Sequence, residues 1–141
     1  MILGIGTDLV DIRRIENSLK RYGERFENRI FTPAERQHAQ RSKNADMKAI
    51  AATYAKRFAA KEACYKALNI GRNNNISWQD IEVVKNENGT TAIKLSGAAQ
   101  AHLQKITPKE MEAKIFVSLS DEYPYAQAFV IIDCIKPYND K

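Results

Sequence analysis

Ile2-Leu3-Gly4-Ile5-Gly6-Thr7-Asp8-Leu9-Val10 opens this chain as a strand, because large apolar residues recur at a period of two. Leu3, Ile5 and Leu9 fall on one face, and Gly4, Gly6 and Asp8 on the other. Alternation of successive side chains across a strand requires that split. The second face carries no side-chain bulk beside its carboxylate. Such a hollow suits a bound ligand, or a second backbone packed close. In the second case Asp8 would only cap the turn that follows.

Outward from this strand, residues 12–22 read as a helix with Ile12, Ile15 and Leu19 inside and Arg13, Arg14, Lys20 and Arg21 outside. Gly23 stops it. Thr32-Pro33-Ala34-Glu35 starts a second helix, with threonine as N-cap, proline at the first helical position and glutamate completing a capping box. A long helix runs from about Met47 to Leu68, with Met47, Ile50, Ala51, Tyr54, Phe58, Tyr65 and Leu68 inside an arc of roughly 100°. Glu62 lies just past the edge of that arc and Lys66 follows one turn on. Taken alone, these two could form a surface ion pair.

Residues 69–75 form a polar loop containing Gly71. Residues 80–86 and 90–95 read as strands joined at Asn88-Gly89, a strong hairpin signal. Ser96 caps a short helix to about Ile106. Two further strands cover 114–120 and 126–135, and the tail from Lys136 is polar and loose. The class expected is α+β: an antiparallel sheet with a long helix packed on it, in a single domain over 1–141.

Composition is that of an ordinary soluble protein, with 44% hydrophobic and 28% charged residues. No apolar run approaches the roughly 18 residues of a membrane span, and the start lacks the basic region of a secretory signal. Cys64 and Cys134 read as reduced core thiols of a cytosolic protein. His38 and His102 have no ligand-spaced partner, and a surface position is expected for both. Residues 1–72 hold 15 Lys/Arg against 8 Asp/Glu, or +7; the remainder holds 7 against 9, or −2. A basic half implies an acidic partner. Nucleic acid is the weaker choice, since few aromatics interleave the basic stretch and no nucleic-acid motif is present.

Arg57-Phe58-Ala59-Ala60-Lys61-Glu62-Ala63-Cys64-Tyr65-Lys66-Ala67 places a second carboxylate among cations. Two carboxylates that converge, with basic residues around them, suit a divalent metal neutralising a phosphate ester. Together with Gly4-Ile5-Gly6-Thr7-Asp8-Leu9-Val10-Asp11, this segment resembles the paired motifs of the holo-acyl-carrier-protein synthases, a family of 4′-phosphopantetheinyl transferases. Ile76 to Val83, Asn88-Gly89 and Val117 to Asp121 are similar to the remainder of the pattern.

The resemblance implies transfer of the phosphopantetheine arm of coenzyme A to a serine of an acidic acyl carrier protein, releasing adenosine 3′,5′-bisphosphate. It implies Asp8 and Glu62 as Mg²⁺ ligands and, with Lys66, as catalytic residues. Arg57, Phe58, Lys61, Lys66, Gly71, Asn88 and Gly89 become expected coenzyme A contacts, and Arg14, Arg21 and Arg25 the carrier-docking residues. Metal-bound water, Glu62 and Asp8 all stand as acceptors for the serine proton. It further implies a cytoplasmic homotrimer with sites at subunit interfaces, serving fatty acid biosynthesis, with no membrane or nucleic-acid partner. Two positions depart from the family pattern: Asp121, where many members carry histidine, and Asn69, where glycine is usual.

Overall fold

The computed structural model describes residues 1–41, 46–72 and 74–138. The elements run β1 (Ile2–Asp11), α1 (Ile12–Tyr22), α2 (Glu24–Ile30), α3 (Pro33–Gln40), α4 (Met47–Ala67), a 3₁₀ turn (Trp78–Asp80), β2 (Ile81–Lys85), β3 (Thr91–Leu95), α5 (Gly97–Ile106), β4 (Glu112–Glu122) and β5 (Tyr125–Ile135). β1, β5 and β4 form one antiparallel sheet in that order, and β2 and β3 a separate hairpin. The expected α+β class holds, with α4 lying across β1 and β5.

The glycines of β1 explain how α4 sits there. A Cβ at Gly6 would lie 1.9 Å from Ala63 O, and one at Gly4 would lie 1.8 Å from Ala67 O. The hollow face of the strand is therefore filled by the backbone of α4. Ala59, Ala60, Ala63 and Ala67 of α4 and Ala126 and Ala128 of β5 are all buried, which keeps helix and sheet close. The long helix is thus buried mainly on its alanines. The larger stripe is less enclosed than expected: Met47 is exposed, and Ile50, Phe58 and Tyr65 are half-buried. Leu3 also departs from expectation. A register irregularity between Ile2 and Gly4 puts it against the core, leaving Ile5 and Leu9 on the open face.

Local chemistry accounts for the helix starts. Asp11, not Asp8, caps α1, its Oδ1 accepting Arg13 N–H at 3.0 Å. Thr32 and Glu35 form the expected capping box. Asp46 caps α4 through Ala49 N–H at 2.8 Å. Helix α2 was not expected from sequence. Gly23, at φ +55°, ends α1 and starts α2 without a capping side chain, so no capping pattern announces the second helix. The strand expected from residue 80 begins at Ile81, because Ser77 and Asp80 cap the 3₁₀ turn. Ser96 occupies the N-cap position of α5 but makes no side-chain cap bond. Residue 73 of the expected loop and residues 139–141 of the expected tail lie outside the described residues.

Candidate active site

Asp8 comes from β1, while Glu62 and Lys66 come from successive turns of α4. The close crossing at Gly4 and Gly6 brings them together. Lys66 Nζ donates to Thr7 O at 2.9 Å and to Asp8 Oδ1 at 3.1 Å. It therefore pairs with the strand carboxylate, and its salt bridge is to Asp8. Burial pushes the Glu62 carboxyl above the ordinary carboxylate range, the Asp8 charge adds to that, and Lys66 opposes it. Asp8 and Glu62 are half-buried and Lys66 is exposed, so the cluster opens at the surface of the chain.

These oxygens are hard ligands. Among the described residues no three His, Cys, Asp or Glu side chains converge as a metal cage. Two carboxylates that leave the other positions to water and substrate phosphate match how Mg²⁺ is held. The donor set fits such a cation, which would act with Lys66 against the effect of the Asp8 charge on Glu62.

The other expected contacts divide. Lys61 is fully buried and donates to Glu35 Oε1 at 2.7 Å, Trp78 O at 3.1 Å and Ile81 O at 2.5 Å. All three ammonium protons are engaged inside the chain, so the expected phosphate contact by Lys61 is corrected to a structural tie. Arg57 is also largely buried and donates to Val83 O. It still lines a cavity with His38, Lys56, Lys85 and Asp121. Phe58 stacks on Trp78 at 5.5 Å, and both line a second cavity with Tyr22 and Arg25. Arg14, Arg21 and Arg25 are exposed on α1 and α2. Asn88 Oδ1 accepts Thr90 N–H and Thr90 Oγ1–H within the hairpin turn, and Gly89 takes φ +85°. Gly71 is exposed with open space where a Cβ would be.

Further placements correct or extend the sequence reading. His38 and His102 are half-buried rather than at the surface; burial and nearby cations hold His38 below its ordinary range, and His102 Nε2 meets Leu68 O at 2.8 Å. Asn69 takes φ +53°, so the turn after α4 survives the absence of glycine. Asp121 pairs with Lys56 at 3.2 Å, a contact the sequence did not suggest because 65 residues separate the two (121 − 56). Trp78 was also missed as a cavity wall; its proximity to Phe58 depends on the 3₁₀ turn. Cys64 and Cys134 are buried and free, as expected.

The family model described as the 4′-phosphopantetheinyl transferase superfamily matches residues 4–128. The chain belongs to this superfamily. A holo-[acyl-carrier-protein] synthase of Rhodopseudomonas palustris is 52% identical over 137 residues, covering 97% of this chain and 98% of that one. One from Cereibacter sphaeroides is 53% identical over 133 residues, covering 94% and 93%. Among solved structures, a Chronobacterium ammoniagenes complex with coenzyme A superposes with a TM-score of 0.77 at 30% identity, covering 94% and 98%. A Helicobacter pylori holo-[acyl-carrier-protein] synthase in complex with coenzyme A gives 0.72 at 29% identity, covering 92% and 99%. Residues 4–8 and 57–67, which lie within the matched span, meet at the crossing of β1 and α4.

Proposed function

We propose that this phosphopantetheinyl transferase moves the 4′-phosphopantetheine group of coenzyme A onto a serine of apo-acyl carrier protein at the Asp8–Glu62–Lys66 cluster. The observation that carries this is the crossing of β1 and α4, which brings both motif carboxylates together with Lys66 on Asp8. Asp8 and Glu62 would hold Mg²⁺, which when bound supplies charge neutralisation at the phosphates. Lys66 balances charge that develops on the leaving group. Phosphoryl transfer needs alignment more than covalent help, and residues on a strand and a packed helix supply it. Arg57, beside Lys56 and Lys85, offers a cationic wall for a coenzyme A phosphate. Gly71, Asn88 and Gly89 rest on the family resemblance alone.

Intact-mass analysis tests this directly. Apo-acyl carrier protein with this chain, coenzyme A and Mg²⁺ should gain one phosphopantetheine mass, and EDTA should abolish the gain. No gain with several carrier proteins and a folded enzyme would sink the reading.

The carrier is acidic in this reading, and α1 and α2 meet it with Arg14, Arg21 and Arg25. The cavity between Tyr22, Arg25, Phe58 and Trp78 lies one turn of α4 from Glu62, so a docked carrier reaches the cluster. Arg21→Glu should raise KM for the carrier about tenfold, with KM for coenzyme A unchanged and the gap narrowing in salt. Equal KM values for parent and variant would remove α1 from the interface.

The open face of the main sheet exposes Ile5 (59%), Leu9 (62%), Phe116 (54%) and Phe129 (40%). Contiguous apolar exposure of this kind marks an interface, and a homotrimer would cover it and complete the surface-open cluster. A solution mass near 48 kDa is expected, three times 16.0 kDa, and Leu9→Asp should lower it. A parent chain that sediments as a monomer would exclude the trimer. The described residues contain no helix long and apolar enough to cross a membrane. Use of coenzyme A and an acyl carrier protein supports reading the chain as a cytoplasmic enzyme of fatty acid biosynthesis. In this reading residues 1–141 form one transferase domain.

A further inference from the structure

Among the described residues, the fully buried Glu35–Lys61 pair beneath α4 is left unused by the proposed chemistry. Besides the Lys61 ammonium, Glu35 Oε1 accepts Thr32 N–H at 2.9 Å and Oε2 accepts Val83 N–H at 3.0 Å. Both side chains have zero exposure. The network thus joins the start of α3, the middle of α4, the 3₁₀ turn and β2.

Backbone groups set the polarity of this pocket. Two carbonyls, of Trp78 and Ile81, point at position 61; two N–H groups, of Thr32 and Val83, point at position 35. The pair cannot be exchanged end for end. A rotated or slipped α4 would leave an ammonium and two carbonyls buried without partners. An apolar pair of similar volume would pack α3 against α4 but would leave those two carbonyls and two N–H groups without side-chain partners, and it would not select one rotation of α4. Buried polar groups are best attested in that registering role.

Glu62 follows Lys61 by one residue, about 100° round the helix. The inward direction of Lys61 therefore fixes the direction in which Glu62 leaves the helix, and one turn later that of Lys66. We propose that the Glu35–Lys61 pair positions the transferase site, locking the rotation and register of α4 so that Glu62 and Lys66 meet Asp8 in the arrangement that binds a divalent cation and a phosphoryl group. This rests on the site reading above. Lys61 and Glu35 touch no reacting atom; they act through Glu62 and Lys66.

The test uses the full chain and three variants: Lys61→Met, the double variant Glu35→Gln with Lys61→Met, and Glu35→Asp. Thermal midpoint, kcat, KM for coenzyme A and Mn²⁺ affinity by electron paramagnetic resonance, with coenzyme A present and no carrier, are measured for each. The folded variants should lose about 10–100-fold in both kcat and Mn²⁺ affinity. KM for coenzyme A should change less than about threefold. A folded variant with parental kcat and Mn²⁺ affinity and only a lowered midpoint would overturn the proposal. So would a loss of kcat with Mn²⁺ affinity intact. Where the methionine variants fail to fold, Glu35→Asp decides, since it keeps the charge and shortens the reach by one methylene; its unfolding as well would assign the pair to stability alone. A parent chain that neither modifies a carrier nor binds Mn²⁺ would instead remove the underlying site reading, so the two failures stay distinct.

Discussion

Glu62→Gln retains the fold and loses about a hundredfold or more in kcat, the result expected when a carboxylate that holds a divalent cation becomes a neutral amide. The fold survives because Glu62 is only half-buried and makes no bond that ties two elements. The pH behaviour sharpens the expectation. Burial first, and the Asp8 charge second, raise the Glu62 carboxyl above its ordinary 4.5. Between the ordinary value and the raised one, the folded chain binds more protons than the unfolded chain. Stability without a divalent cation therefore falls as pH rises through that window and stays lower above it. Glu62→Gln removes this loss, so its thermal midpoint at neutral pH should match or exceed the parent's in EDTA. Near-parental turnover of the variant with Mg²⁺ present would take Glu62 out of the site.

Gly6→Ala should be severely destabilising. Its Cβ would lie 1.9 Å from Ala63 O, whereas real contacts essentially never fall under 3.0 Å. Strand and helix must therefore separate by about 1.1 Å, the difference between those two distances. Both partners are backbone, so no side chain can rotate aside. Overpacking of this kind costs on the order of 3 kcal/mol, a fall of roughly 10 °C in thermal midpoint for a chain of this size. Gly6 also lies two residues from Asp8, and a displacement near 1 Å at a reacting centre costs about a hundredfold in rate. Differential scanning calorimetry and the mass assay read the two effects separately. A variant with parental midpoint and turnover would mean that β1 and α4 are not packed as described.

Local signals in the sequence located most elements because their causes are local. The Thr32–Glu35 capping box, the glycine stop at Gly23 and the Asn88-Gly89 turn each act within four residues, and each element stands close to its expected place. Helix α2 escaped because Gly23 serves two helices at once and leaves no capping side chain to read. The pairing of Asp8 with Glu62 was suggested by residue type and by resemblance, but the geometry of their meeting was not legible. It depends on Gly6 meeting Ala63 across the core.

Lys61 shows the limit most plainly. In sequence it stands between Arg57 and Lys66 as one more cation on a basic helix, ready for a phosphate. Its fate was decided by Glu35, 26 residues away, and by carbonyls of a 3₁₀ turn and a strand that fold beneath α4. The sequence by itself determined the class, the helix caps, the two motifs and the family they resemble, because spacing and residue type act along the chain. Only the tertiary structure decided which of four motif cations and acids, Arg57, Lys61, Glu62 and Lys66, turn inward to hold the fold and which turn toward Asp8. The physical reason is that burial and partner choice arise from contacts between segments distant in sequence, which no local periodicity encodes.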